Sequence, residues 1–243
     1  MTVTEEVTKP YVGMVAPYDF ALDRELWRWL PDSLDLLLTR TPYEPLRVSV
    51  EQAIRIGDPG VVGEAARALM TPAPAVIGYA CTAGSFVGGL AGERALVAAL
   101  LAAGVPAAVT TSGAAVQALT ALGAGRVAVA TPYDDAVTAL LVAFLQESGI
   151  AVTATSNLGL NAAILAVPTE TTLELVRRAW TEDCDAVFVS CTNLSTYDAI
   201  ETLEAELGVP VVSANQATMW AAVALTGLAA HGPGQRLMSK GLP

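Results

Sequence analysis

Two short stretches of this chain echo each other across nearly half its length, and that echo constrains the fold more than any single element. Ile77-Gly-Tyr-Ala-Cys81-Thr82 and Val187-Phe-Val-Ser-Cys191-Thr192 each read as a buried strand that ends in Cys-Thr and runs into a helix start. A second pair keeps the same order: Val12-Gly-Met-Val-Ala-Pro17-Tyr18-Asp19 and Val127-Ala-Val-Ala-Thr-Pro132-Tyr133-Asp134. Self-similarity at a long period marks a duplicated structural unit. The chain is therefore expected to form two half-domains related by an approximate two-fold axis.

The local patterns say what each half contains. Apolar runs predict buried strands at Tyr11–Ala16, Ala75–Tyr79, Ala107–Thr110, Val127–Ala130, Ala151–Thr155, Ala186–Ser190 and Val209–Val212. Between them, Asp58–Leu69, Gly92–Ala103, Ser112–Leu122, Asp134–Ser148, Thr169–Trp180, Ser195–Leu207 and Asn215–Leu228 carry apolar residues at three- and four-residue spacing. Several of these begin at a capping residue and stop at Gly. Strands alternating with helices predict an α/β fold: two pseudo-symmetric Rossmann-like halves, each a mainly parallel sheet flanked by helices, with the active site in the crevice between them. Residues 1–111 with 215–243 are expected to form the first half, the last helix crossing back onto it, and residues 112–214 the second.

Charge and composition exclude several function classes. With 24 Asp and Glu against 13 Lys and Arg, the net charge of −11 opposes approach to phosphate backbones and anionic lipid. No basic run offsets it, so neither nucleic acid nor a membrane is an expected partner. The apolar runs are short, none near the ~18 residues of a membrane span, so the chain reads as soluble. The opening MTVTEEVTKP lacks a positive n-region and an apolar h-region and reads as a short disordered tail on a cytoplasmic protein. Homo-oligomerisation is left open.

Three cysteines, Cys81, Cys184 and Cys191, without CxxC pairs, make neither a disulfide framework nor a zinc site. Cys184, unmatched in the first half, reads as packing. The single histidine, His231, lies beside an expected helix end and reads as a surface residue, which argues against a Ser-His or Cys-His mechanism. Cys81 and Cys191 are different. In open parallel sheets ligands bind beyond the C-terminal strand ends, where helix N-termini offer free N–H groups. Such a nest activates a thiol and also holds a carboxylate. Two thiols facing one pocket permit a proton to leave one face of a carbon and return to the other. They also permit a thiolate to add to a double bond while the second thiol supplies a proton.

GYACTAGSF around Cys81 and VSCTNLSTYDAI around Cys191 resemble the two cysteine motifs of the aspartate/glutamate racemase superfamily, most closely those of maleate cis-trans isomerase and its relative arylmalonate decarboxylase. The resemblance extends to the strand into Pro17, the ATPY segment ending at Tyr133, Leu160–Ile164 and VPVVSANQATMWAAV at 209–223. It implies an isomerase without metal or organic cofactor that acts on a small carboxylate, with Cys81 as nucleophile and Cys191 as acid/base partner. It further implies that Thr82, Tyr133 and the N–H groups of Thr192 and Asn193 hold a substrate carboxylate, that Asn161 meets the other end of a diacid, and that Pro17, Asp19 and Ala83 line the site. Arylmalonate decarboxylase has glycine at the first cysteine position, so Cys81 favours an isomerase or racemase over a decarboxylase.

One position departs from the pattern. Maleate isomerases carry a substrate-touching asparagine after the first strand, whereas this chain reads Pro17-Tyr18-Asp19-Phe20. Asp19 is expected to turn away and cap the next helix, the alternative being that it recognises an amino or amide group. Arg40 and Arg47, in a Pro-rich loop, are candidate carboxylate ligands. The Gly84–Gly89 run reads either as a flap or as tight helix packing. The leading expectation is a maleate cis-trans isomerase-like enzyme. Its rivals are a two-cysteine amino-acid or hydantoin-type racemase, a decarboxylase of malonate-type acids, and a non-enzymatic small-anion binding protein.

Overall fold

A computed structural model describes residues 10–243; the expected N-terminal tail falls almost wholly on residues 1–9, outside the described residues. The first half runs β1 (Tyr11–Ala16), α1 (Asp23–Trp29), β2 (Asp35–Arg40), α2 (Val50–Ile56), α3 (Pro59–Arg67), β3 (Val76–Tyr79), α4 (Thr82–Phe86), α5 (Gly89–Ala102), β4 (Ala108–Thr110) and α6 (Thr111–Ala121). The second runs β5 (Arg126–Thr131), α7 (Asp135–Glu147), β6 (Ala151–Asn157), a 3-10 turn (Ile164–Ala166), α8 (Thr169–Ala179), β7 (Ala186–Val189), α9 (Tyr197–Leu207), β8 (Val211–Ser213) and α10 (Ala214–Ala224). A last 3-10 turn spans Arg236–Ser239.

The strands form two four-stranded sheets, β2-β1-β3-β4 and β6-β5-β7-β8, and every pairing is parallel. β3 and β7 are apolar throughout and buried at every residue, as strands covered by helices on both faces must be. β2 is absent from the sequence reading, which placed Arg40 in a loop. Its Asp-Leu-Leu-Leu-Thr-Arg segment lies at a sheet edge, half-buried and bounded by charge, so it lacks the long apolar signature of the inner strands. Helices α1, α2 and α4 have seven, seven and five residues, too few for a 3.6-residue period to declare itself.

The two strand orders match, which gives the sequence echo its structural form. In each sheet the chain starts in an inner strand, steps outward once, then returns to the other side. That places a topological switch point between β1 and β3 in one half and between β5 and β7 in the other. The C-terminal ends at those switch points carry Pro17-Tyr18-Asp19, Cys81, Pro132-Tyr133 and Cys191. Crevices beyond such strand ends are where open parallel sheets bind ligands.

Helices α6 and α10 follow the fourth strand of their respective sheets and pack against each other, with Thr111 and Thr218 hydroxyls 2.8 Å apart in the buried seam. α10 also packs on α1, and a Ser213/Gln216 capping box fixes its start. α6 and α10 are grouped here with the sheet each follows, whereas the expected boundaries at 111/112 and 214/215 placed each with the other sheet; Phe86 and Leu119 share one continuous core with Phe144, Phe188 and Trp220. Glu25 on α1 adds a polar tie. Its Oε1 accepts from the backbone N–H groups of Thr196 and Tyr197, both at 2.6 Å, and its Oε2 accepts from Asn215 Nδ2 at 3.0 Å.

Candidate active site

Cys81 leaves β3 in extended conformation and caps α4, its sulfur accepting the Gly84 N–H at 3.4 Å. The helix is held close by glycine. A Cβ on Gly84 would lie 2.3 Å from the Tyr79 hydroxyl, and one on Gly57 would lie 2.3 Å from the Gly84 carbonyl oxygen. Tight packing is thus what the start of the Gly84–Gly89 run supplies. The Tyr79 hydroxyl beside Cys81 donates to the Ile56 carbonyl at 2.6 Å.

Cys191 sits at the matching end of β7 with φ of +101°, a value L-residues with side chains rarely adopt. Its surroundings hold it there. Its own N–H donates to Thr82 Oγ1 of the other half at 3.3 Å, its sulfur accepts the Asn193 N–H at 3.4 Å, and its carbonyl accepts the Leu194 N–H at 3.3 Å. The following loop is tied across the crevice: Asn193 Nδ2 donates to the Asp19 carbonyl at 3.1 Å, and the Ala21 N–H donates to Asn193 Oδ1 at 3.0 Å. Asn215 Nδ2 bridges the Thr192 carbonyl, at 2.9 Å, and Glu25.

Cys81 and Cys191 line one small cavity of about 30 Å³. Pro17, Asp19, Thr82, Ala83, Tyr133, Thr192 and Asn193 line it too, so the structure gathers all but one of the residues chosen from the sequence. The exception is Asn161, which lines a neighbouring outer cavity. Asp19, Val48, Gln52, Ile164 and Asn193 border both spaces and mark the throat, the place where the two adjoin. Val48, Gln52, Ile56 and Ile164 were not foreseen. Gln52 had a signal, a polar residue beside Ala53 and Ile56 on the buried face of α2, just after the Ser49 cap.

Asp19 does not cap α1. That helix begins at Asp23 behind Leu22, with no side-chain cap. Asp134, the counterpart of Asp19 in the sequence echo, does cap its helix, accepting the Val137 N–H at 2.9 Å. The extra residues between Pro17 and α1 leave Asp19 free to face the throat, where Gln52 Nε2 lies 3.4 Å from its Oδ2 and 2.9 Å from the Tyr18 hydroxyl. Arg40 is spent elsewhere, held at 2.7 Å by Asp23. Arg47 lines the outer cavity and has no ion-pair partner among the described residues. His231 is exposed and lines neither space, while Cys184 is buried in the core.

The electrostatics follow from burial. Desolvation pushes the Cys81 thiol up to about 12 and the Cys191 thiol up to about 11, outweighing the N–H donors that favour each thiolate. Both sulfurs are therefore protonated at neutral pH. Burial also raises the Asp19 carboxyl above the usual range, against the hydrogen bond from Gln52. Among the described residues no Lys, Arg or His lines the inner cavity. Its polar side chains are the hydroxyls of Thr82, Tyr133 and Thr192, the amides of Gln52 and Asn193, and the carboxyl of Asp19. Among the described residues no cluster of three or more His, Cys, Asp or Glu is placed to hold a metal ion, and no helix is long and apolar enough to cross a membrane.

Paired α/β halves with a cysteine at the same strand end in each define an enzyme of the Asp/Glu racemase-like superfamily, and known structures agree. A maleate isomerase from Pseudomonas putida S16, solved as a cysteine-to-alanine variant with maleate, superposes with a TM-score of 0.86 at 26% identity over 95% of this chain and 97% of that one. A cysteine-to-serine variant of Nocardia farcinica maleate cis-trans isomerase, with a covalently bound succinylcysteine intermediate, gives 0.81 at 27% identity, covering 94% and 98%. Within the superfamily, this chain belongs to the arylmalonate decarboxylase family, whose model matches residues 59–238. Arylmalonate decarboxylase of Bordetella bronchiseptica is 41% identical over 167 residues, 67% of this chain and 69% of that protein. A liganded variant of arylmalonate decarboxylase, with one glycine changed to cysteine and one cysteine to serine, superposes at 0.85 with 35% identity over 94% and 98%.

Proposed function

We propose that this protein is a cofactor-independent isomerase of small carboxylic acids that works by proton transfer between two thiols, in the manner of a racemase. The supporting observation is the pair itself: Cys81 and Cys191 leave equivalent strand ends of the two halves, line one cavity, and each receives a backbone N–H at 3.4 Å. The substrate carboxylate takes the hydroxyl and N–H donors of Thr82, Ala83, Tyr133, Thr192 and Asn193. One thiol first gives its proton to solvent; the thiolate so formed removes the proton from the carbon next to that carboxylate and becomes a thiol again. The opposite thiol gives its proton to the other face and becomes the thiolate. The enantiomer forms with no net change in protons. The donors that hold the carboxylate also stabilise the enediolate that develops on it, which offsets the high resting pKa of the sulfurs.

The test is 1H NMR of 2-substituted carboxylic acids in heavy water, in which racemisation replaces the α-hydrogen by deuterium. Cys81→Ser and Cys191→Ser are each expected to slow exchange by roughly a thousandfold; a variant with near wild-type exchange removes its residue from the reaction.

A second reading, cis-trans isomerisation of an alkene diacid, is favoured by the similarity to the maleate isomerases. Here the Cys81 thiolate adds to one alkene carbon, and the π electrons pass to the neighbouring carbon and its carboxylate. Rotation about the new single bond and loss of the thiolate then give the trans acid. Conversion of maleate to fumarate without deuterium uptake would select this reading over the first. Decarboxylation of a malonate-type acid, the activity named by the family, would show as released carbon dioxide.

A further inference from the structure

The inner cavity carries one acid, and that bears on what the second end of the substrate carries. The hydroxyl-bearing Thr82, Tyr133 and Thr192 line it with the two sulfurs. The Asp19 carboxyl lines it too, in the throat and near enough for its charge to act on both sulfurs, with no Lys, Arg or His among the described lining residues to offset it. Its backbone is fixed by the Asn193 side chain, which bonds the Asp19 carbonyl and the Ala21 N–H, and among the described residues the one side chain that bonds its carboxyl is Gln52, weakly, at 3.4 Å. The sequence echo isolates the feature: Asp134, at the same place in the other half, is consumed as a helix cap. A diacid with one carboxylate among the donors would direct its other carboxylate toward Asp19, where like charges repel. A nitrogen that donates hydrogen bonds meets the opposite situation.

We propose that Asp19 is the specificity-determining residue of this site, and that the substrate is a small carboxylic acid whose other end bears a hydrogen-bond-donating nitrogen, an ammonium or amidinium above all, received by the Asp19 carboxylate in the throat. This rests on the two-thiol reading for where the first carboxylate sits. The outer cavity, bordered by Asn161 and the exposed Arg47, receives whatever extends beyond the nitrogen.

A matched ligand series tests it. Succinate, succinamate and 4-aminobutanoate share a carboxylate and a similar length, and end in a carboxylate, an amide and an ammonium. Dissociation constants are measured by ligand-observed NMR titration at pH 7.5, for the wild type and for Asp19→Asn. The wild type is expected to bind 4-aminobutanoate roughly tenfold or more tightly than succinate, with succinamate between. Asp19→Asn is expected to reverse that order, which a merely structural role for Asp19 would not do. Succinate bound best by the wild type, an order unchanged by Asp19→Asn, or no binding by any of the three overturns the proposal. The same titration on the Cys81→Ser, Cys191→Ser double variant separates the two claims. Selectivity kept there while the wild type exchanges no α-hydrogen defeats the two-thiol reading alone; exchange without selectivity defeats this inference alone.

Discussion

At the scale of single residues, Cys191 is held in a conformation that suits glycine better than cysteine. A side chain at φ of +101° costs on the order of 1 kcal/mol or more, while truncation to alanine removes only the sulfur and keeps the strained Cβ. Cys191→Gly is therefore expected to melt at or above Cys191→Ala in a urea titration, reversing the usual ranking of the two; alanine more stable by ~1 kcal/mol would show that the backbone is relaxed. The buried thiols make a second prediction, in alkaline solution. A thiol with folded values of about 12 or 11 and an unfolded value near 8.5 binds its proton more tightly when folded. Its contribution to stability is thus full below about pH 8.5 and is lost as pH rises through the folded value. Between about pH 8.5 and the folded value stability should fall by about 1.4 kcal/mol per pH unit for each thiol, levelling off above it, measured against the Cys81→Ser, Cys191→Ser double variant. Alkylation by iodoacetamide should likewise rise about tenfold per unit through pH 10; a plateau near pH 8.5 would mean that the sulfurs are better solvated than their burial implies.

At the scale of elements, the start of α9 depends on a residue from the other half. Glu25 takes the Thr196 and Tyr197 N–H groups and the Thr196 hydroxyl, a capping role that no α9 side chain performs. Glu25→Ala leaves those buried donors unpaired and should destabilise the fold by about 3 kcal/mol, while also loosening the loop that carries Cys191. A loss below ~0.5 kcal/mol would mean that water replaces the carboxylate without cost. In the same way, Gly84→Ala should cost about 1 to 3 kcal/mol, because its Cβ meets the Tyr79 hydroxyl at 2.3 Å. Which elements were legible in the sequence follows from how they are buried. β1, β3, β5 and β7 showed themselves because strands with both faces covered must be continuously apolar. The edge strand β2 and the short helices α1, α2 and α4 did not, since β2 is bounded by Asp35 and Arg40 whereas the equally half-exposed edge strand β6 carries no charge, and a two-turn helix carries no period.

At the scale of the whole molecule, the two halves share one apolar core through the α6–α10 seam, so heating should give a single calorimetric transition with matching van't Hoff and calorimetric enthalpies. Two resolved transitions would show that the halves fold independently. The candidate site was legible to the extent that it lies on the echoed strand ends: Cys81, Cys191, Tyr133 and their neighbours share the cavity. What escaped was set by contacts between distant segments. Gln52 reaches the throat only because α2 packs under Tyr18 and Asp19, and Asp19 is free only because α1 starts late. The division of the pair between two copies of one unit also has a stereochemical corollary. In the proposed two-thiol reaction each prochiral side of the reacting centre is served by a separate portion of the gene, so recombining or evolving one portion alters delivery to one side alone. Enantiopreference of that reaction is in this sense a modular trait of the polypeptide, open to change from either portion without rebuilding the other.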